Sequence, residues 1–402
     1  MACRGLARAL VQRGHRLYFL LPAVRDGLGD DRGVILVSPG RALQILTAEE
    51  LSQYDSWLAG DQMHPYATST SSMVHHINGL HLSEQERIER LRLTGGYGPG
   101  LYREIELFSR LAETSVADLD FDLIHAHDWM TYPAGLALRH ARQRPLVCHV
   151  HATEKDRSGD NVNQYVYDLE RHAYHAADRI ITVSNFTRDR LLHEYDVPSE
   201  KVQAVHNGLE FELGPAYTAA PGRPFKEKIV LFLGRITFQK GPDYFVAAAR
   251  KVIEKIPGVR FVMVGTGDMY HRMIEMAADL GIGKYFHYTG FLDRLQVKRI
   301  YRMSDLYVMP SVSEPFGLTP LEALAEGVPV IISRQSGASE VLQNCIKVDF
   351  WDTDQLARSI IKVLEEKEAT VEMIRGGQEE LGKVTWEMAA QRVEEIYYGM
   401  LS

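Results

Sequence analysis

From Ile229 to Glu366, short apolar runs alternate strictly with segments of helical period. This alternation constrains the fold more than any other feature of the 402-residue chain. Ile229–Leu233 (IVLFL), Arg260–Val264 (RFVMV), Phe286–Tyr288, Leu306–Met309, Val328–Ile332 and Cys345–Val348 have the length and β-branched content of buried strands. Between the first two, Phe245, Ala248, Ala249, Val252, Ile253 and Ile256 recur at helical spacing. Met269–Leu280, Asp293–Met303, Pro320–Glu326 and Asp354–Glu366 read as further helices. Strand after helix after strand predicts a parallel sheet with right-handed crossovers and helices on both faces.

The N-terminal half repeats the theme more loosely. Strands are expected at Leu17–Leu21, Val34–Val37, Leu123–His125, Leu146–Val150, Ile180–Val183 and Val202–Val205. Helices are expected near 101–114, 133–142, 163–176 and 185–195. The stretch from about 48 to 100 is polar and rich in His and Gly, and reads as an insertion of loops and short elements. Gly214–Lys228 carries Pro215, Pro221, Gly222 and Pro224 and reads as a linker. The expected class is therefore α/β, with two doubly wound domains at 1–213 and 228–384, a linker at 214–227 and a terminal helix at 385–402.

Composition removes several alternatives. A 45% hydrophobic, 24% charged chain has material for two cores. A net charge of −8 without a long basic run argues against nucleic acid as a partner. Three scattered cysteines (Cys3, Cys148, Cys345) without a C-x-x-C point to a reducing, cytoplasmic setting, and against a disulfide framework or a zinc cluster. No apolar run approaches the ~18 residues that cross a bilayer. The N-terminal MACRGLARALVQRGHRLYFLLPA reads as a helix with a Leu6, Leu10, Val11 stripe, ended by Gly14 and followed by a buried strand, rather than as a targeting segment. Its arginines read as a solvated face in preference to a membrane anchor.

Doubly wound sheets bind ligands beyond the carboxyl ends of their strands, and two such domains place the expected site in the cleft between them. After Ile229–Leu233 comes GRITFQKG. Arg235 and Lys240, beside a helix start, suit a diphosphate; alone, they read equally well as a solvated pair. After Leu306–Met309 comes SVSEPFGLTPLEALAEGVPV. Thr319 and Pro320 make an N-cap and N1 pair, which predicts a helix from Pro320. Glu322 in its first turn is explained by the helix dipole alone. Glu314 has no such explanation. It stands beside the N–H groups of Phe316, Gly317 and Leu318, where a carboxylate accepts sugar hydroxyls and the N–H groups suit phosphate. HAHDW (His125–Trp129) and HVHAT (His149–Thr153) end two other strands. Their histidines sit at i, i+2 spacing, but no carboxylate cluster accompanies them, so hydrogen bonding is expected rather than a metal. Asp118–Asp120, Asp120–Asp122 and Asp352–Asp354 read as element caps. Val202–Val205 ends in HNG, His206–Gly208.

Taken in order, HAHDW, HVHATEKDRSG, ADRIITVSNFT, VHNG, GRITFQKG and Glu314-PFGLTPL-Glu322 followed by GVPVI resemble retaining glycosyltransferases of the GT-B fold over nearly the whole chain. More narrowly, they are similar to the family-4 enzymes related to bacterial and archaeal glycogen and starch synthases. The resemblance implies two Rossmann-like domains facing a central cleft. It implies transfer of a hexose, glucose, from a nucleotide diphosphate sugar to a saccharide such as an α-glucan, without cofactor or metal. Arg235 and Lys240 would neutralise the leaving diphosphate. Glu314 and His151 would contact the reacting sugar and Glu322 the ribose. Gly234, Gly265, Phe291, Phe316, Gly317 and Leu318 would line the donor, and His127, Asp128 and Asn207 would lie on the acceptor side. The helix from Thr385 would cross back onto the N-terminal domain. With no dedicated nucleophile, front-face attack through an ion-pair-like state is implied.

One departure stands out. Family members open with a strand and a Gly-Gly-Leu-Gly loop, whereas this sequence opens at the following helix, Ala2-Cys3-Arg4-Gly5-Leu6. The expected N-terminal sheet thus lacks its first strand. Two further readings stand beside an active transferase. One is an impaired sugar-nucleotide-binding protein without the glycine loop. The other is a sugar-nucleotide epimerase, against which Glu314, Arg235 and Lys240 argue.

Overall fold

The computed structural model describes residues 2–22, 33–39, 93, 100–210 and 226–402. The expected insertion at 48–100, apart from Leu93 and Gly100, and all but the last two residues of the expected linker lie outside the described residues. The first half contains α1 (Ala2–Gln12), β1 (Leu17–Leu20), β2 (Val34–Val37), α2 (Leu101–Ser115), β3 (Ile124–His127), α3 (Tyr132–Arg142), β4 (Leu146–Val150), α4 (Glu154–Ser158), α5 (Gln164–Ala176), β5 (Arg179–Thr182), α6 (Asn185–Glu194) and β6 (Val202–Ala204). The second contains β7 (Lys228–Leu233), α7 (Pro242–Lys255), β8 (Val259–Val264), α8 (Tyr270–Asp279), β9 (Phe286–Gly290), α9 (Arg294–Met303), β10 (Leu306–Met309), α10 (Thr319–Ala325), β11 (Val330–Ser333), α11 (Ala338–Val341), β12 (Ile346–Val348), α12 (Thr353–Glu365), α13 (Lys367–Leu381) and α14 (Trp386–Leu401).

The chain divides into two compact units. The larger comprises Met1–Arg13, His127–Trp129 and Val147–Ser402; the smaller comprises Gly14–Ala126 and Met130–Leu146. In the larger unit a six-stranded parallel sheet has the order β12-β11-β10-β7-β8-β9. Strand order reverses between β7 and β10, the hallmark of a doubly wound sheet. The strands are apolar on both faces because helices cover both. Val230 and Phe232 enter one core with Phe245, Val252 and Leu356. Ile229 and Leu231 enter the other with Tyr307, Leu321 and Leu324. That split follows the two-residue period of the strand. β4, β5 and β6 also pair in parallel. α14 packs on α1, where Arg13 Nη1 donates to Glu387 at 2.6 Å and Arg13 Nε to Glu394 at 2.9 Å.

In the smaller unit β1 and β2 pair in parallel, and α2 packs on α3, with Phe108, Leu111 and Ala112 of the one and Leu138 of the other buried. Arg142 extends the α3 C-terminus by donating to the carbonyls of Leu119 (2.8 Å) and Ala117 (3.3 Å).

The sequence expectations need three corrections. The expected strand 123–125 runs from Ile124 to His127, because the ladder continues to Asp128, whose N–H donates to the His149 carbonyl at 2.9 Å. α10 begins at Thr319, not Pro320. The Thr319 hydroxyl accepts from Tyr307 OH at 2.7 Å and so makes no cap. α13 goes beyond the expected elements, since Gly376-Gly377 interrupts its pattern. Among the described residues no helix is long and apolar enough to cross a membrane.

Candidate active site

The reversal between β7 and β10 leaves a small pocket at the carboxyl ends of these strands. Gly234, Lys240, Tyr307, Ser311, Glu314 and Thr319 are among its lining residues. β7 leads through Gly234 and Arg235 to a 3₁₀ turn, Phe238–Lys240, and then to α7, which opens with Pro242. This turn carries Lys240 to the strand end. β10 leads into Ser311–Leu318, whose Glu314 is 7% exposed. The two chain segments meet in an ion pair between Lys240 Nζ and Glu314 Oε2, and Ser311 Oγ donates to the same oxygen at 3.3 Å. The buried Gln239 holds the loops together, its carbonyl accepting from the N–H groups of Val312 (3.0 Å) and Ser313 (3.4 Å).

Glu314 is fixed by its backbone as well. Its N–H donates to the Gln335 carbonyl (3.0 Å), and its own carbonyl accepts from Gly337 (2.9 Å). Gly317 has φ +91°, a conformation that L side chains rarely adopt, and a Cβ there would stand 3.0 Å from Glu314 Cγ. The N–H groups of Phe316, Gly317 and Leu318 find no backbone acceptor among the described residues. Phe316 is buried, in ring contact with His206 at 5.9 Å.

Other sequence candidates fall differently. Arg235 is exposed, with Nη2 at 3.4 Å from Gln239 Oε1, and does not line the pocket. Glu322 is half-buried in α10, accepts from Tyr301 OH at 3.3 Å, and has its carboxyl pushed above the ordinary range by burial. Phe291 is 80% exposed. Gly265 has φ +129°, and a Cβ built on it would lie 1.9 Å from the Gly234 carbonyl oxygen. Only glycine permits that approach of β8 to β7. Gly265→Ala is therefore expected to cost about 1–3 kcal/mol, read as a lower urea-unfolding midpoint.

A second cluster gathers the histidines. His127, at the end of β3, places Nδ1 3.0 Å from Nε2 of His151, just beyond β4. The His149 and His151 rings stack at 4.5 Å and the His127 and His151 rings at 5.3 Å. Asp128 has φ +61°, strained for a non-glycine residue. Its Oδ1 accepts from the N–H groups of His151 (2.8 Å) and Ala152 (3.3 Å). Asp128 thus orients His151. Burial lowers the His151 imidazole below its usual pKa, partly opposed by Asp128, so the ring is neutral at pH 7. Cys3, in the first turn of α1, lies with Sγ 3.8 Å from His151 Nε2; burial, with Asp128 adding, pushes its thiol up to about 11. Asn207 is buried at 8% exposure.

Sequence reasoning missed the segment just after His151. Thr153 and Asp156 form a capping box on α4. Asp156 Oδ1 also accepts from Ser313 Oγ at 2.5 Å and pairs with Arg190 at 3.1 Å. The segment bearing His151 is thereby tied to the residue before Glu314. The T-x-x-D spacing was the available signal.

Comparison with known proteins gives the family and the fold. Residues 216–380 match the group 1 glycosyl transferases, and residues 73–213 match glycosyltransferase family 4. An uncharacterized glycosyltransferase of Methanocaldococcus jannaschii is 29% identical over 293 residues, covering 69% of this chain and 75% of the relative. The glycogen synthase of Mycobacterium tuberculosis is 26% identical over 284 residues, covering 69% and 68%. Among solved structures, sucrose-phosphate synthase from Thermosynechococcus elongatus superposes with a TM-score of 0.73 at 19% identity, covering 99% of this chain and 92% of that one. Anabaena HepE in complex with UDP-glucose gives 0.64 at 19%, covering 75% and 84%. The chain belongs to the glycosyltransferases and has their GT-B fold.

Proposed function

We propose that the chain is a retaining, cytoplasmic transferase that moves glucose from a nucleotide diphosphate sugar to a saccharide acceptor, an α-glucan being the first to test. The observation that carries this reading is the Lys240–Glu314 pair at the point where the sheet reverses. A cation and a carboxylate at one strand end match the two unlike halves of a sugar nucleotide. When donor binds, Lys240 passes from Glu314 to the diphosphate, and the freed carboxylate accepts a hydroxyl of the sugar. Lys240, joined by Arg235, meets the charge that develops as the glycosidic bond breaks. No metal is needed for that step.

In the same reading Glu322 takes the ribose. Gly234, Gly265, Phe316, Gly317 and Leu318 line the donor, and Phe291 lies by the base. His151 supports the oxocarbenium-like state, with His127, Asp128 and Asn207 toward the acceptor. Residues 1–213 form the acceptor side and 228–384 the donor side, with 214–227 linking them and 385–402 returning to the first. The UDP-glucose complex of the HepE structure and the glycogen synthase relative support the choice of donor and acceptor.

The test is incubation with UDP-, ADP- and GDP-glucose plus a glucan primer, following release of nucleoside diphosphate and the anomeric configuration of the product. Retention and primer extension are expected. Binding without turnover would favour the impaired sugar-nucleotide binder, and conversion of a sugar nucleotide without acceptor the epimerase. Glu314→Ala is expected to lower kcat on the order of 10²-fold. Affinity for the free nucleoside diphosphate should hold within about threefold, because the carboxylate faces the sugar. Equal losses in both would move Glu314 off the sugar.

A further inference from the structure

We propose that Cys3, His127 and His151 form a binding site for a thiophilic divalent cation of the zinc class. The three side chains come from α1, from the end of β3 and from the loop after β4, and one ligand atom from each lies within 4.8 Å of the others. Tetrahedral zinc, with bonds of about 2.3 Å to sulfur and about 2.0–2.1 Å to nitrogen, sets S···N near 3.6 Å and N···N near 3.3 Å. The observed Cys3–His151 and His127–His151 separations are 3.8 and 3.0 Å. Shifts of a few tenths of an ångström therefore bring both pairs to a shared cation. A cysteine sulfur, which gives up its proton to solvent as the cation binds, and two imidazoles suit zinc and its neighbours, whereas magnesium and calcium prefer oxygen. Three protein ligands leave one coordination position open.

The surroundings fit such a site. Asp128 fixes the backbone of His151 through two N–H groups, and His149 stacks on both ligand rings. The competing account is a neutral hydrogen bond between His127 and His151. With the Cys3 thiol bonded there as well, it puts two contacts on the single lone pair of one imidazole nitrogen. The position also has a consequence, which rests on the proposed reaction: a cation held there occupies the His151 nitrogen and inhibits transfer.

The experiment titrates the full chain, in chelator-treated buffer, with Co²⁺ and then Zn²⁺. One equivalent of Co²⁺ should give a thiolate-to-cobalt charge-transfer band, which Zn²⁺ abolishes by displacement. Cys3→Ser should abolish the band and weaken Zn²⁺ binding by at least about tenfold, with Cys3→Ala as a second variant and circular dichroism to verify folding. Cys345→Ser should retain both signals. Absence of the band, or its survival in Cys3→Ser, overturns the site. Where glucosyl transfer is measurable, Zn²⁺ should inhibit it, EDTA should restore it, and Cys3→Ser should need at least about tenfold more zinc. The cobalt spectrum requires no turnover, so failure of the transferase reading and failure of the metal site are told apart.

Discussion

Lys240→Ala is expected to lower kcat/KM roughly 10²- to 10³-fold, the loss typical of removing one preorganised group that meets transition-state charge. Unlike Glu314→Ala, it should also weaken binding of the free nucleoside diphosphate, because in the proposed reaction the ammonium faces the phosphates before and after transfer. The burial of its partner adds a second expectation. Glu314 is 7% exposed, and among the described residues only Ser311 Oγ, apart from Lys240, is bonded to its Oε2. Removing the lysine leaves a buried carboxylate without its cation, so the unfolding midpoint should fall as well. Lys240→Ala/Glu314→Gln should recover stability and leave activity low. That split separates the structural role of the pair from its role toward the donor. A kcat/KM within about threefold of the parent would remove Lys240 from the diphosphate.

The doubly wound sheet was legible because its signal is local. Each strand of 229–348 is a short apolar run, and each expected boundary falls within two residues of the observed one. α13 was hidden because a Gly-Gly pair normally breaks a helix. Its reason is tertiary: a Cβ on Gly377 would stand 2.8 Å from Leu324 of α10. The site was legible in part. Glu314 stood out for want of a local explanation, but its meeting with Lys240 depends on β10 lying beside β7, which no window of sequence contains. The convergence of Cys3 on His151 was invisible for the same reason, the two standing 148 positions apart in the chain. Asp156 escapes notice in the sequence because a capping box accounts for one of its oxygens, while the other reaches Ser313.

Arg157→Met should destabilise the chain by about 3–5 kcal/mol near pH 8, the cost of stranding a buried charge. Glu170 is fully buried; it accepts from Arg157 Nη2 at 2.5 Å, Tyr195 OH at 2.7 Å and the Glu154 N–H at 2.9 Å. Burial already pushes its carboxyl up to about 7 despite the guanidinium. A raised folded value means that the folded chain binds more protons than the unfolded one between about pH 4.5 and 7. This group's contribution is therefore full below that window and is lost as pH rises through it. Without Arg157 the folded value rises further and the loss continues to higher pH. The deficit against the parent should accordingly be small at about pH 5 and largest above about pH 8, as measured by urea-unfolding midpoints across that range. Arg157→Met/Glu170→Leu should regain most of the loss, because removing both partners leaves no charge to strand. In the proposed reaction turnover depends on α4 as well, since it carries both Arg157 and the Asp156 that bonds Ser313, the residue before Glu314. In Arg157→Met, kcat should fall, because Asp156 then no longer holds Ser313 and the Lys240–Glu314 pair beside it in place. A pH-independent deficit, or one below about 1 kcal/mol near pH 8, would mean that Glu170 is already neutral in the parent and that Arg157 does not hold this segment in place.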